Sequence, residues 1–171
     1  MKYKAGDRVR VRQWEAMKRQ GELLSGDISF HGKPFLFLKM NRRFCGQVVT
    51  IKKVEGCCYR IEEDNGQWHW IDEEFEGYAF EYGETVEFSN DGEKWERRFY
   101  AGYIDGADYP YVSVNKVDEA RFKKGLSFTC VLWKYARPIP KNHTIIIDGI
   151  EIEVSDEDYK ALKEKLCRRN K

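Results

Sequence analysis

The chain has 171 residues, with 30 Lys and Arg against 29 Asp and Glu, and 42% of its residues are hydrophobic. That apolar content is enough for packed cores and argues against global disorder. No apolar run approaches the roughly 20 residues of a membrane-spanning helix. The near-neutral total hides a segregation: residues 1–60 carry 14 basic and 5 acidic side chains, residues 61–99 carry 3 and 13, and residues 100–171 carry 13 and 11. Such sectors suit charged partners or mutual neutralisation within the chain. Five cysteines without regular spacing point to the reducing cytoplasm. The opening MKYKAGDRVRVR has charge but no apolar core of a secretory signal.

Residues 5–12, AGDRVRVR, alternate Val9 and Val11 against arginines, which predicts a half-buried strand. Residues 13–47 form a long basic insertion. WEAMKRQ within it predicts a short amphipathic helix stopped by Gly21, and a loop of this length is usually functional or mobile. Residues 46–76 then read as a three-stranded meander. A strand from Val48 turns at Glu55-Gly56, a second runs from Cys57 to Glu62, and Asp64-Asn65-Gly66 makes a tight hairpin turn. A third strand is expected over 67–71, with Trp68 and Trp70 on one face and His69 on the other. With the first strand these complete an SH3-like barrel over residues 1–77.

Residues 78–140 predict a second, four-stranded antiparallel β domain. Its strands fall at 85–88, 95–103, 109–115 and 128–135, with a loop or single helical turn at 117–125, and prolines end it. Residues 141–171 predict a ββα tail. An Asp148-Gly149 hairpin is followed by a helix with Ser155 as N-cap and Asp158 in the capping-box position. Tyr159, Leu162 and Leu166 give the helix its apolar stripe. The tail is too small to hold a core alone and is expected to pack on the preceding domain. The fold class is therefore mainly β with minor α.

No residue pattern specifies a reaction. Cys45, Cys57, Cys58, Cys130 and His69 lack metal-ligand spacing, and Cys57 and Cys58 face opposite sides of one strand. His31, His69 and His143 are tied to no cysteine by motif. Phosphate-binding glycine loops are absent from the sequence. No catalytic residue, cofactor or metal is therefore assigned. Two surfaces stand out as partner-binding candidates. One is an acidic edge of Glu62, Glu63, Asp64, Asp72, Glu73 and Glu74, able to occupy a basic groove built for nucleic acid. The other is a basic and aromatic set of Lys33, Lys39, Arg42, Arg43, Arg97, Arg98, Tyr100, Tyr109 and Tyr111, suited to stacking bases beside cations.

WEAM, Met40 with Phe44-Cys45-Gly46, VTI, YRIEED, WHWIDEEFE, DGEKWERRF and WKYARPI together resemble small uncharacterised accessory proteins of phages and prophages of Gram-positive bacteria. Those carry an SH3-like barrel followed by a second small β unit. The resemblance implies an accessory phage protein acting in the host cytoplasm, with no defined reaction; together with the charge segregation it points to a non-enzymatic binding protein. It would inhibit a host nucleic-acid-handling or defence protein, such as a CRISPR nuclease, by steric and electrostatic occlusion. A direct nucleic-acid-binding module is the alternative, and a small-ligand binder or small enzyme a second alternative. Neither the partner's identity nor the oligomeric state follows from the sequence.

Overall fold

The structure is a computed structural model that describes residues 2–140, 142–147, 150–155, 158–159, 161–163 and 165. It is mainly β, built from antiparallel sheets with few helices. Met1–Arg137 form one compact unit and Pro138–Lys171 a second.

The first unit begins with β1 (Arg8–Val11), whose alternation turns Val9 and Val11 fully inward. Helix α1 (Trp14–Gln20) covers the predicted heptapeptide and buries Trp14 and Met17. The rest of the expected long loop has structure of its own. Strands β2 (Glu22–Leu24), β3 (Asp27–Ser29) and β4 (Leu36–Phe37) form a small antiparallel sheet, and a 3-10 turn follows at Lys39–Phe44. The apolar anchors of this insertion, Ile28, Phe30, Phe37 and Phe44, are buried in the main core, so burial orders the segment.

Strand β5 (Val48–Glu55) pairs on one side with β1 and on the other with β6 (Cys58–Ile61). The expected third strand over 67–71 is not formed. Its place is taken by a single bridge between Tyr59 and Trp70, and a 3-10 turn at Asp72–Glu74 leads into β7 (Phe75–Tyr78). The reason is local. Asp64 takes hydrogen bonds from the backbone of Gly66 and Gln67 and from the Trp70 indole, coiling the chain into a loop where a strand was expected. Asn65 and Gly66 supply the left-handed backbone it needs. The sheet order is β6-β5-β1-β7. The chain crosses from the Trp70 bridge beside β6 to the opposite edge at β7 within a few residues. Trp70 lies in the core beside this sheet, with Phe37, Phe44 and Phe75 within 5.8 Å, ring centroid to centroid.

The second sheet has five strands rather than four, ordered β11-β10-β9-β8-β12. They are β8 (Thr85–Ser89), β9 (Glu96–Tyr103), β10 (Tyr111–Val114), β11 (Cys130–Trp133) and β12 (Tyr135–Arg137). The expected strand at 128–135 breaks at Lys134, whose backbone N–H leaves the ladder and donates to Asn90 Oδ1 at 2.9 Å. Only Lys134 separates the two edge strands, and the sheet's core is Val86, Phe88, Tyr100, Tyr111 and Trp133. Between β10 and β11, a 3-10 turn (Lys116–Asp118) and helix α2 (Glu119–Lys123) carry Phe122, the centre of a satellite cluster with Tyr82, Phe99 and Phe128.

The second unit contains the hairpin β13 (Asn142–Ile147) and β14 (Ile150–Ser155), with Ile145 opposite Ile152. The Asp148-Gly149 turn expected between them lies outside the described residues. Ser155 caps the helical residues after it: Asp158 N donates to Ser155 Oγ at 3.1 Å, and Ser155 Oγ donates to Asp158 Oδ2 at 2.7 Å. Leu166, Arg168 and Arg169 lie outside the described residues. No described helix is long and apolar enough to cross a membrane.

Candidate functional site

The two larger sheets of the first unit meet along a tyrosine seam. Tyr111 Oη donates to the Tyr78 carbonyl at 3.2 Å, and Tyr103 Oη donates to Glu76 Oε2 at 2.9 Å. The Arg10 guanidinium lies 4.7 Å from the Tyr103 ring centroid. Burial, reinforced by neighbouring acidic groups, raises the phenol pKa of Tyr103 well above the usual range. Burial does the same for Tyr111, and pushes Tyr78 up to about 12. These hydroxyls stay protonated and act as fixed donors.

Beside the seam opens a cleft of about 840 Å³. Its aromatic wall is Tyr78, Trp95, Tyr103 and Tyr135, and its cations are Lys2, Arg12, Arg19, Lys134 and Arg137. Three carboxylates also line it: Glu76, Asp91 and Asp108. Two of these are already used. Glu76 holds Tyr103, and Asp91 accepts from the backbone of Lys94 and Glu93 and from Ser89, which holds its carboxyl down at about 2. Among the described residues, Lys2, Arg19 and Lys134 make no ion pair with a carboxylate. The cleft therefore sets aromatic rings beside cations: Lys134 Nζ lies 5.4 Å from the Tyr135 ring centroid, and Lys2 lies near Asp72.

The acidic edge is largely built into the fold. Asp64 and Glu74 are buried. Asp72 accepts from the Tyr59 hydroxyl, and Glu73 pairs with Lys33 at 2.7 Å. Glu62 and Glu63 remain exposed; Glu62 lies 3.8 Å from Lys52 and Glu63 accepts from Thr50 N at 2.9 Å. The basic and aromatic candidates are dispersed. Lys39 is exposed, Arg42 lies over Trp14 and Arg43 over Phe44. Arg97 meets Glu87 at 3.3 Å and Arg98 pairs with Glu96. Tyr109 is exposed, whereas Tyr100 and Tyr111 are buried and unavailable as an open stacking surface. Of all these candidates only Tyr111 lines the cleft. Trp95, Lys134, Tyr135 and Arg137 stand in two short segments, WERR and WKYAR, where aromatic and basic residues interleave. Nothing in the sequence linked them to Arg19.

The fold also brings together Glu55, Cys58 and His69, whose ligand atoms lie within 4.8 Å of one another. Arg60 occupies this cluster, with Nε donating to Glu55 at 2.7 Å and Nη2 to His69 Nε2 at 2.6 Å. Burial raises the Cys58 thiol, which donates to the Glu55 carbonyl. The arrangement is an ion-pair network around a neutral thiol.

No protein-family model, curated protein or solved structure matches the chain.

Proposed function

We propose that the chain is a binding protein, not an enzyme, and that the cleft between its two larger sheets holds single-stranded nucleic acid. The observation that carries this reading is the pairing of the aromatic wall of Trp95, Tyr103 and Tyr135 with Arg19 and Lys134, which form no ion pair with a carboxylate among the described residues. Bases stack on aromatic faces whatever their sequence, and cations beside them neutralise phosphates. Both larger sheets run in one order, in which the last strand pairs with the first and the middle strands follow in sequence. That order supports reading each as an SH3-like barrel, a scaffold that hosts many unrelated binding functions.

The test is fluorescence anisotropy with labelled 12-nucleotide DNA and RNA single strands. The expected result is micromolar or tighter binding that weakens steeply as salt rises, with about a tenfold loss in Trp95→Ala and in Arg19→Glu. No salt-sensitive binding, or unchanged affinity in both variants, overturns the reading.

A second reading is an inhibitor of a host nucleic-acid-handling protein, as the resemblance to phage accessory proteins implies. It draws support from the insertion, where Leu23, Leu24, Leu36 and Met40 are exposed beside the basic Lys39, a combination suited to a protein surface. Loss of partner inhibition in Leu24→Glu and Met40→Glu, with strand binding intact, would favour it.

A further inference from the structure

Of the three carboxylates on the cleft wall, Glu76 holds the Tyr103 hydroxyl and Asp91 ties the turn after β8. Asp108 is different. It is exposed, lines the cleft, and forms no hydrogen bond or ion pair among the described residues. It sits on the turn between β9 and β10, just beyond the point where Tyr103 stands opposite Tyr111. That turn is held in place. Ile104 N donates to the Pro110 carbonyl at 2.8 Å, and Ala107 N to the Ile104 carbonyl at 3.4 Å. Gln13, just before α1, donates from Nε2 to Asp105 Oδ2 at 3.3 Å.

A free negative charge works against a cleft that takes up phosphates, because like charges repel. A carboxylate only accepts hydrogen bonds, so what suits it is a ligand edge made of N–H or O–H groups. The bases of a single strand expose their Watson–Crick edges. Guanine presents two adjacent donors there, N1–H and the 2-amino group. Thymine and uracil place one N–H between two carbonyls. Adenine and cytosine set an amino group beside a ring-nitrogen acceptor, whose lone pair would face the second carboxylate oxygen. Guanine also carries O6 and N7, the acceptors that arginine and lysine meet best. Arg19 and Lys134 line the same cleft as Asp108. Guanine is thus the base that uses both signs of charge found there.

We propose that Asp108 makes the cleft selective for guanine, its two carboxylate oxygens accepting from N1–H and the 2-amino group of a guanine held in the cleft. The proposal rests on the single-strand reading of the cleft and adds a specificity to it. A ribose 2′-hydroxyl could also donate to Asp108, but it offers one donor where the carboxylate has two acceptors.

The experiment is fluorescence anisotropy at fixed salt with labelled oligothymidine and with the same strand carrying one central guanine, hypoxanthine, adenine or cytosine. Guanine is expected to tighten binding by at least about fivefold. Hypoxanthine keeps O6, N7 and N1–H but lacks the 2-amino group, and should lose most of that gain. In Asp108→Asn the guanine preference should disappear, while oligothymidine binds as well as before or better, since a negative charge has left the cleft. Salt-sensitive binding with no base preference, or a guanine preference that survives Asp108→Asn, overturns this proposal and leaves the single-strand reading standing. So does an Asp108→Asn variant that changes only the preference for RNA over DNA, which would make the ribose the group read. If no strand binds at all, both fall.

Discussion

The guanidinium carbon of Arg137 lies 3.9 Å from the centroid of the Trp95 ring, while the same guanidinium reaches Glu87 Oε2 at 2.9 Å. Glu87 is buried on β8, opposite Arg137 on β12 and opposite Arg97 on β9. One carboxylate thus anchors two arginines across three strands, and Arg137 in turn holds Trp95 flat at the cleft. A lysine cannot serve both roles, since an ammonium lacks the planar fork that meets a carboxylate and covers a ring together. Arg137→Lys should therefore weaken single-strand binding by about fivefold to tenfold while the melting temperature changes little. Anisotropy and thermal denaturation on the same samples check both halves.

Gly77 is required by a close approach rather than by its dihedral angles. A Cβ there would sit 2.0 Å from Tyr111 Oη and 3.2 Å from its Cζ. Gly77 lies on β7 of the first sheet and Tyr111 on β10 of the second, so this contact is part of the seam. Gly77→Ala should displace the tyrosine, break its bond to the Tyr78 carbonyl and destabilise the chain by about 1–3 kcal/mol. Adding Tyr111→Phe removes the oxygen that clashes and should recover part of that loss. Urea denaturation of the single and double variants measures the coupling.

Asp64 organises the loop that replaces the expected third strand. One of its oxygens accepts from Gly66 N at 2.8 Å and Gln67 N at 3.1 Å, and the other from Trp70 Nε1 at 2.8 Å. Asp64→Ala would leave the indole N–H of a fully buried tryptophan unpaired. The expected cost is about 2–4 kcal/mol, made up of the orphaned donor and the lost loop bonds. Asp64→Asn keeps an acceptor and should cost less. Chemical denaturation orders the three proteins. Equal stability of wild type and alanine variant would contradict the role given to this side chain.

Much of the local architecture was legible because it follows from short-range rules. The alternation of Val9 and Val11, the β5–β6 turn at Gly56 and the helix Trp14–Gln20 all appear where pattern and punctuation put them. What escaped depends on contacts between distant segments. The break at Lys134 carries no proline or glycine to announce it, and is visible only once Asn90 is seen to take its N–H. Tyr100 and Tyr111 look like surface aromatics in sequence, but the packed core and the neighbouring sheet bury them. The acidic edge looks like a charged face, yet Asp64, Asp72 and Glu74 are spent on backbone, hydroxyl and indole donors. The cleft joins Arg19 to Trp95 and Arg137, residues that no periodicity connects.

Glu74 gives the fold a pH dependence of definite sign. It is fully buried, its Oε2 accepts from Ile71 N at 3.0 Å, and its Oε1 has no partner. Burial pushes its carboxyl up from 4.5 to about 8. Between these values the folded chain keeps a proton that the unfolded chain has released. Stability must therefore fall as pH rises from about 4.5 to about 8, and level off above that. The loss should be on the order of 5 kcal/mol. Asp91, held at about 2, acts with the opposite sign, but only in acid: its contribution is complete above its ordinary value of 3.8 and fades as pH falls towards 2. Denaturation between pH 5 and 9 leaves Asp91 out, and the difference between wild type and Glu74→Gln over that range reads the Glu74 titration. Glu74→Gln keeps the acceptor for Ile71 N and removes the titration, so its stability should be nearly flat over that range and exceed wild type at pH 9. A wild-type profile as flat as the glutamine variant's would mean that the buried carboxyl does not hold its proton in the folded chain.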